Sequence, residues 1–377
     1  MSGIYIHIPF CKQACHYCDF HFSTTMGKKK AMVSALQKEL VFRKDEFNDE
    51  VVETIYFGGG TPSVLTMDEL QSVFYTVFSN YKVSDSPEIT LEANPDDLSL
   101  ERIKDLATSP INRLSIGIQS FFDEDLKLMN RAHSAEEAEN SIRQAKKYFD
   151  TISIDLIYGI PDMSNARWKQ NIEKALSFDI PHISSYALTV EPNTALANFI
   201  KKGIVKNVDD EVAEVHFHIL SETLEAAGFE SYEISNFGKQ GYFSRNNTAY
   251  WQQKKYIGIG PSAHSYDGVR RGWNINNNPK YMRAIENGEL PMETEILSTT
   301  DKYNEYVMTG LRTIWGVSLD RIVSEYGKKY REYLLKQAEK YREQHLLYLD
   351  GDTLLTTKKG RFLADGIAAD LFMLNLG

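Results

Sequence analysis

Cysteine is scarce: the 377 residues hold three, and all of them fall between positions 11 and 18. An odd number in so short a window cannot supply a secreted disulfide framework, and it points to a reducing compartment and a metal-binding loop. No apolar run approaches the length that spans a bilayer. The apolar start Ile4-Tyr5-Ile6-His7-Ile8 has no basic leader ahead of it and is stopped by Pro9 before a secretion core could form. The expectation is a cytoplasmic protein. Basic residues are outnumbered, 42 against 52 acidic, for a net charge of -10, and no long Lys/Arg stripe interrupts that balance. A phosphate-backbone partner therefore has little electrostatic support, and no nucleic acid is expected.

What is present is the composition of an ordinary globular chain, 42% hydrophobic and 25% charged, at a length that suggests one large domain and a smaller one. Apolar strands alternate with amphipathic helical patterns from the first residues. Six strands are predicted at Ile4–Ile8, Val52–Phe57, Glu88–Ala93, Arg113–Ile118, Thr151–Ile157 and His182–Leu188. Helical patterns follow near Lys29–Phe47, Met67–Tyr81, Leu100–Ala107, Ala135–Phe149, Ala166–Phe178 and Asp210–Ala227, with capping signals at Thr66 and Ser134. Six βα units joined by right-handed crossovers predict an α/β fold, a partial TIM-like barrel with one open side, over residues 1–235. The Gly/Asn/Tyr-rich stretch that follows reads as a connecting, pocket-facing segment over 236–300. Residues 301–377 carry helical patterns and two apolar runs around Asp350-Gly351, which predicts a mainly helical, winged-helix-like domain. The acidic charge favours a packing module over a DNA reader.

Cys11-Lys12-Gln13-Ala14-Cys15-His16-Tyr17-Cys18 has the spacing CxxxCxxC directly after the first strand, at the end where a parallel barrel holds its active site. Such short gaps let one loop wrap a [4Fe–4S] cubane. Three thiolates leave one iron without a protein ligand, whereas an electron-transfer cluster normally uses four cysteines. The amino and carboxylate groups of S-adenosylmethionine can fill that position, and an electron from the cluster can then cleave its C–S bond to a 5′-deoxyadenosyl radical. A zinc site completed by His16 or His21, and a chance grouping of structural cysteines, are the other readings.

Gly58-Gly59-Gly60-Thr61-Pro62 follows the second strand, where a backbone without side chains can approach the methionine part of such a cofactor. Glu92, Gln119 and Asp155 end or follow the third, fourth and fifth strands. Each singly suits a cap or a loop, but polar groups at successive strand ends converge on one mouth.

Together, CxxxCxxC with its lead-in Tyr5-Ile6-His7-Ile8-Pro9-Phe10, GGGTP, Ser115-Ile116-Gly117-Ile118-Gln119-Ser120, Arg131-Ala132-His133 and the C-terminal Leu355–Asp365 stretch resemble a known family. The chain is similar to HemW-type haem chaperones of the radical SAM superfamily, relatives of the oxygen-independent coproporphyrinogen III dehydrogenases, HemN. The resemblance implies cluster ligation by Cys11, Cys15 and Cys18, flanking roles for Tyr5 and Tyr17, and S-adenosylmethionine contacts from Gly59, Gly60, Thr61 and Glu92. It places Gln119, Arg131, Asp155 and Ala187 at positions that line a second cofactor-sized site in the dehydrogenases. Here they would touch the same cofactor or the tetrapyrrole. It also implies haem, an acceptor protein for it, a low-potential electron donor, and membrane contact no deeper than peripheral.

Two departures favour haem handling over coproporphyrinogen oxidation, the alternative reading. Tyr5 already lies in the cluster strand, with no long arm before it, and Phe20 stands where the dehydrogenases carry a fourth cysteine. A third departure concerns the haem motif His-Asn-x-x-Tyr-Trp, which here reads Asn246-Asn247-Thr248-Ala249-Tyr250-Trp251. A carboxamide is a poor iron ligand beside imidazole. Tyr250 and Trp251 suit either stacking on a porphyrin or packing, and His264 is the substitute ligand unless it is merely structural.

Overall fold

The computed structural model describes residues 2–47 and 50–374, so the last three positions of the expected C-terminal domain lie outside the described residues. Six strands form the parallel core: β1 (Ser2–Ile8), β2 (Val52–Gly59), β3 (Val83–Ala93), β4 (Arg113–Gln119), β5 (Thr151–Tyr158) and β6 (His182–Ala187), each paired with the next. Period two decides their faces. Ile4, Ile6 and Ile8 are fully buried towards the outer helices, while Gly3, Tyr5 and His7 line the inside. The same alternation turns Thr54 and Tyr56 of β2, Glu92 of β3, Ser115 of β4, Asp155 of β5 and Ser184 of β6 inward. Branched apolar side chains fill a closed barrel of this kind. Here the interior is polar and partly empty.

The outer helices begin where the capping signals lie, with full capping boxes at Thr66/Glu69 and Ser134/Glu137. Two end earlier than the apolar pattern suggested: Lys29–Phe42 stops five residues before Phe47, and Ala135–Ala145 four before Phe149. Both phenylalanines are nonetheless buried. Apolar spacing reports burial, which a turn beyond the helix satisfies equally well.

The 236–300 segment is not an irregular connection. After β7 (Glu230–Glu233), β8 (Asn236–Gly238) runs antiparallel to β6, and β9 (Tyr256–Ile259) runs parallel to β1 on its other edge. The chain then adds β10 (His264–Tyr266), β11 (Arg270–Asn274) and β12 (Met292–Ile296) in antiparallel steps. Among the described residues one twelve-stranded sheet results, in the order β12-β11-β10-β9-β1-β2-β3-β4-β5-β6-β8-β7. Strands of three to five residues with Gly and Asn among them are too short to leave a periodic signal. The helix Arg245–Trp251 lies across the barrel, its first two backbone N–H groups donating to the Glu88 carboxylate of β3 at 2.9 Å each.

The C-terminal part has the expected winged-helix-like order: helix Thr299–Leu311, β13 (Val317–Ser318), helices Leu319–Tyr326 and Lys328–Glu343, then the hairpin β14 (Leu347–Asp350) and β15 (Thr353–Thr356). It has its own core around Tyr303, Leu311, Ile322, Leu334 and Leu354. Arg312, held within this part by Asp365 at 2.6 Å, joins it to the barrel by donating to Glu233 at the end of β7 at 2.8 Å.

A buried ion pair fixes the added strands to the barrel. Glu39, on helix Lys29–Phe42, is fully buried and accepts from Arg43 (3.2 Å), the Gly260 backbone N–H (2.8 Å), Asn274 Nδ2 (2.7 Å) and the Tyr281 hydroxyl. Arg43 in turn donates to the Gly258 carbonyl and the Ser265 hydroxyl. Glu39→Ala would leave Arg43 its second partner, Glu46, at 2.7 and 2.8 Å, but would take the acceptor from the Gly260 N–H, Asn274 Nδ2 and the Tyr281 hydroxyl, so it should cost about 1–3 kcal/mol, seen as a lower urea midpoint, whereas Glu39→Gln should cost clearly less. Equal midpoints for the wild type and Glu39→Ala would refute this role.

Candidate functional site

The cysteine loop leaves the C-terminal end of β1 and is tied down on several sides. Cys11 N–H donates to the Ser23 carbonyl, His16 N–H to Met129 and Leu196 N–H to His16, while Asn130 Nδ2 donates to Ala14 and Gln13 Nε2 to Asn130. Lys12 forms an ion pair with Asp97. All three cysteines are free thiols, and each sulfur has a donor aimed at it. The Thr61 hydroxyl lies 3.4 Å from Cys11 Sγ, Arg131 Nη1 lies 3.3 Å from Cys15 Sγ, and the Phe20 backbone N–H meets Cys18. Burial pushes the Cys11 and Cys18 thiols up to about 11, so a metal rather than solvent would have to displace their protons. Donors converging on sulfur suit thiolates that carry negative charge in a cluster.

Each histidine offered as a fourth zinc ligand has one ring nitrogen engaged. His16 Nδ1 is engaged by the Leu128 carbonyl at 2.8 Å with its ring edge-on to Phe199, and His21 Nε2 by Asn278 Oδ1 at 2.7 Å. Among the described residues no three His, Cys, Asp or Glu side chains close around a single ion. A cubane holds its irons at separate corners and accepts thiolates that stand apart.

Beside the loop, β2 ends in a backbone that tolerates no side chain. Gly59 has φ 105°, and a Cβ there would lie 2.5 Å from the His7 ring; one on Gly60 would lie 2.6 Å from the Phe10 carbonyl. Glu92 accepts from the Tyr56 hydroxyl at 2.7 Å and from the Gly59 backbone N–H. Burial raises it to about 7 against those donors, with the Asp155 charge adding to the rise. Tyr5 stacks on Tyr56 with centroids 6.1 Å apart. Its hydroxyl lies 3.2 Å from His7 Nδ1, and His7 Nε2 lies 2.9 Å from the His21 carbonyl. A carbonyl only accepts, and burial lowers His7 to about 4, so His7 is the neutral Nε2–H tautomer accepting from Tyr5.

Gln119 ends β4 in the left-handed region, φ 67°, and packs with Arg131 around Gly117 beside the cysteine loop. Tyr17 is buried close to Arg131, and burial raises its phenol above the ordinary range, so it stays neutral there. Asp155 lies deeper, accepting from Ser115 at 3.3 Å and from Ser184, with burial raising it to about 6. Ala187 ends β6 opposite Tyr158. The predicted residues thus divide: Cys11, Cys15, Cys18, Tyr17, Thr61, Gln119 and Arg131 gather at the loop, Tyr5, Gly59 and Glu92 sit beside it, and Asp155, Ala187 and His264 stand apart.

A cavity of about 650 Å³ extends from the loop along the open side of the barrel. Phe20, 68% exposed, stands at the cavity wall on the loop side, and Tyr186, Tyr250, Trp251 and Tyr256 line the rest. Arg312 covers Trp251, its guanidinium 4.9 Å from the ring centroid. Asn246 sits at the far end beside Gly3 and Thr54, near the starts of β1 and β2, and accepts from the Thr54 hydroxyl at 3.1 Å. His264 lines the side wall against Trp273 and, among the described residues, makes no side-chain hydrogen bond. Tyr56, His7, Asn94 and Arg312 escaped the motif reading. The period-two polar positions of β1 and β2 could have exposed the first two.

Comparison with known proteins adds the following. The Radical SAM superfamily model matches residues 5–183, and the HemN C-terminal domain model matches residues 297–363. The chain is 33% identical to the protein named heme chaperone HemW of Bacillus subtilis, over 97% of this chain and 98% of that one. It is likewise 33% identical to heme chaperone HemW of Synechocystis, over 86% and 81%. The solved structure of coproporphyrinogen III oxidase (HemN) from Escherichia coli, a radical SAM enzyme, matches with a TM-score of 0.84 at 23% identity, covering 99% of this chain and 90% of that one. At that identity the match shows the fold.

Cys11→Ala, Cys15→Ala and Cys18→Ala should each abolish a four-iron cluster in anaerobically reconstituted protein, read by iron content and electron paramagnetic resonance. Four irons with an unchanged spectrum in any one would remove that cysteine from the ligand set. A second prediction concerns pH. Because Glu92 is raised from 4.5 to about 7, the folded chain holds a proton that the unfolded chain releases, and stability falls as pH rises across that window. Glu92→Gln should therefore gain about 2 kcal/mol on the wild type between the bottom and the top of the window, water in the cavity screening the rest. Parallel pH profiles from cofactor-free denaturation would show that Glu92 titrates normally.

Proposed function

We propose, on the premise that this chain belongs to the HemW family of the radical SAM superfamily, that it binds haem in the cavity beside its cluster and S-adenosylmethionine site and hands it to an acceptor protein. The observation that carries the proposal is the cavity itself: about 650 Å³, open on one side, walled by Phe20, Tyr186, Tyr250, Trp251 and Tyr256, and continuous with the cysteine loop. Flat aromatic walls suit a planar macrocycle, and an open side suits a cargo that must leave.

Cys11, Cys15 and Cys18 would hold the [4Fe–4S] cluster, with Tyr5, Tyr17 and Thr61 flanking it. Gly59 and Gly60 let the backbone close on the methionine end of S-adenosylmethionine, and Glu92, ionised above about 7, would pair with its amino group. When bound together, cluster and S-adenosylmethionine supply radical chemistry. Haem contact would fall to the aromatic walls and to Lys254, a cation on the cavity lining available to a propionate. Of the three histidines on that lining, His7 has both ring nitrogens engaged, His21 is held through Nε2 by Asn278, and His264 alone makes no side-chain hydrogen bond among the described residues, so we assign the iron to His264. Partial burial and, after it, the Arg271 charge lower the pKa of that imidazole, which favours the neutral form that ligates.

A low-potential electron donor, a cytoplasmic setting and membrane contact no deeper than peripheral belong to the same proposal. Free thiols in the cluster loop support a reducing compartment. No helix among the described residues is long and apolar enough to cross a membrane.

A haem titration of the reconstituted protein tests this. Saturable binding is expected, weakened roughly tenfold by His264→Ala and strengthened, with a shifted Soret band, by Asn246→His. Tight binding indifferent to both changes would move the ligand elsewhere. Absence of binding, or turnover of coproporphyrinogen III with release of CO2 and 5′-deoxyadenosine, would replace the chaperone reading.

A further inference from the structure

Haem handling leaves one buried cation without a task. The Arg131 guanidinium is packed into the barrel mouth, where Nη1 donates to Cys15 Sγ at 3.3 Å and Nη2 donates to Asn94 Oδ1 at 2.7 Å and to the Gly117 carbonyl at 2.9 Å. Nε is buried without a partner. Room for this arrangement depends on Gly117, where a Cβ would stand 3.2 Å from Nη2 and 2.8 Å from Gln119 Nε2.

The position of Arg131 relative to the sulfur is set by the backbone just before it. Asn130 adopts φ 57°, its side chain donates to the Ala14 carbonyl at 2.7 Å, and its own carbonyl accepts from Gln13 at 2.9 Å. Met129 accepts the His16 N–H at 3.1 Å. Residues 129–131 therefore grip the cysteine loop on both sides of Cys15. Cys11 and Cys18 receive neutral donors, a hydroxyl and a backbone N–H, and of the three sulfurs only Cys15 receives a charged one among the described residues.

A cluster gains one negative charge on reduction, and a fixed cation with an N–H on one of its sulfurs stabilises the reduced form more than the oxidised form. Burial keeps salt from screening that effect. We infer that Arg131 is a positioning residue that raises the reduction potential of the cluster through Cys15, so that a low-potential donor can deliver the single electron. No bond is made or broken at Arg131. The inference rests on the radical SAM reading, and it goes beyond the sequence expectation that Arg131 touches S-adenosylmethionine or the tetrapyrrole.

The test is a redox titration of reconstituted, cofactor-free protein followed by electron paramagnetic resonance, with iron content as the control. Arg131→Met should lower the midpoint by at least the equivalent of a tenfold change in the reduction equilibrium, 59 mV for a one-electron couple, and Arg131→Lys should lower it less. If Arg131→Met does not retain four irons, Asn94→Asp draws the guanidinium into an ion pair without removing it and should also lower the midpoint. Midpoints coincident with the wild type in the variants that keep four irons would overturn the inference, especially if S-adenosylmethionine binding is what weakens. Loss of the cluster in every variant would overturn it too, by making Arg131 a requirement for assembly. A wild-type protein that holds no four-iron cluster would instead refute the radical SAM reading itself.

Discussion

β1 is paired in parallel on both edges, with β2 on one side and β9 on the other, and the rest of the molecule depends on that strand staying in register. Ile8 opposite Gly59 brings the cysteine loop and the glycine turn to the same height, and Ile6 opposite Ile259 brings the Gly260–His264 loop alongside. Because side chains alternate, one residue of slippage would turn Ile4, Ile6 and Ile8 into the cavity and Tyr5 and His7 into the helices. The completely buried isoleucine row makes such a shift costly. Glu39 and Arg43 reinforce the same register from outside by binding the backbone at Gly258 and Gly260.

The polar interior follows from that register and separates this barrel from one built only for stability. Carboxylates on β3 and β5, hydroxyls on β4 and β6 and tyrosines on β1 and β2 face the barrel interior, and burial is the main cause that raises both Glu92 and Asp155. Raised carboxylates are unfavourable unless something cationic arrives, which is what an aminoacyl ligand would supply. At the mouth the logic reverses. Donors are aimed at the three sulfurs, one of them a full positive charge, so electron-rich ligands are favoured there. The two halves of the mouth are thus prepared for opposite charges a short distance apart.

The winged-helix-like part reaches the lining of the cavity through Arg312. Arg312, anchored within it by Asp365, reaches out to pair with Glu233 and to lie over Trp251, so a wall of the cavity is held by the second core. The backbone around it is bonded to the sheet as well, Ile234 N–H donating to the Arg312 carbonyl and Ile314 N–H to the Tyr232 carbonyl, so this wall is coupled to β7.

Much of this was legible in the chain itself. The CxxxCxxC spacing is local and depends on no distant contact, and the six strand-and-helix units carry their own periodicity and caps, so cluster loop, partial barrel and helical C-terminal part could be read directly. Glycine at 59 and 60 and glutamate at 92 were legible because each sits at the end of a recognisable strand. Other features were decided only by the tertiary structure. The 236–300 segment became sheet because β1 and β6 had edges to be covered, and its strands are too short to signal themselves. Asn246 lies at the opposite end of the strands from the cysteines, and His264 stands on the added strand β10, although Asn246 and His264 are close in sequence. Arg131 faces Cys15 because a left-handed turn at Asn130 clamps the loop. Charge and donor placement across more than a hundred residues is a property of packing, and local sequence carries no record of it.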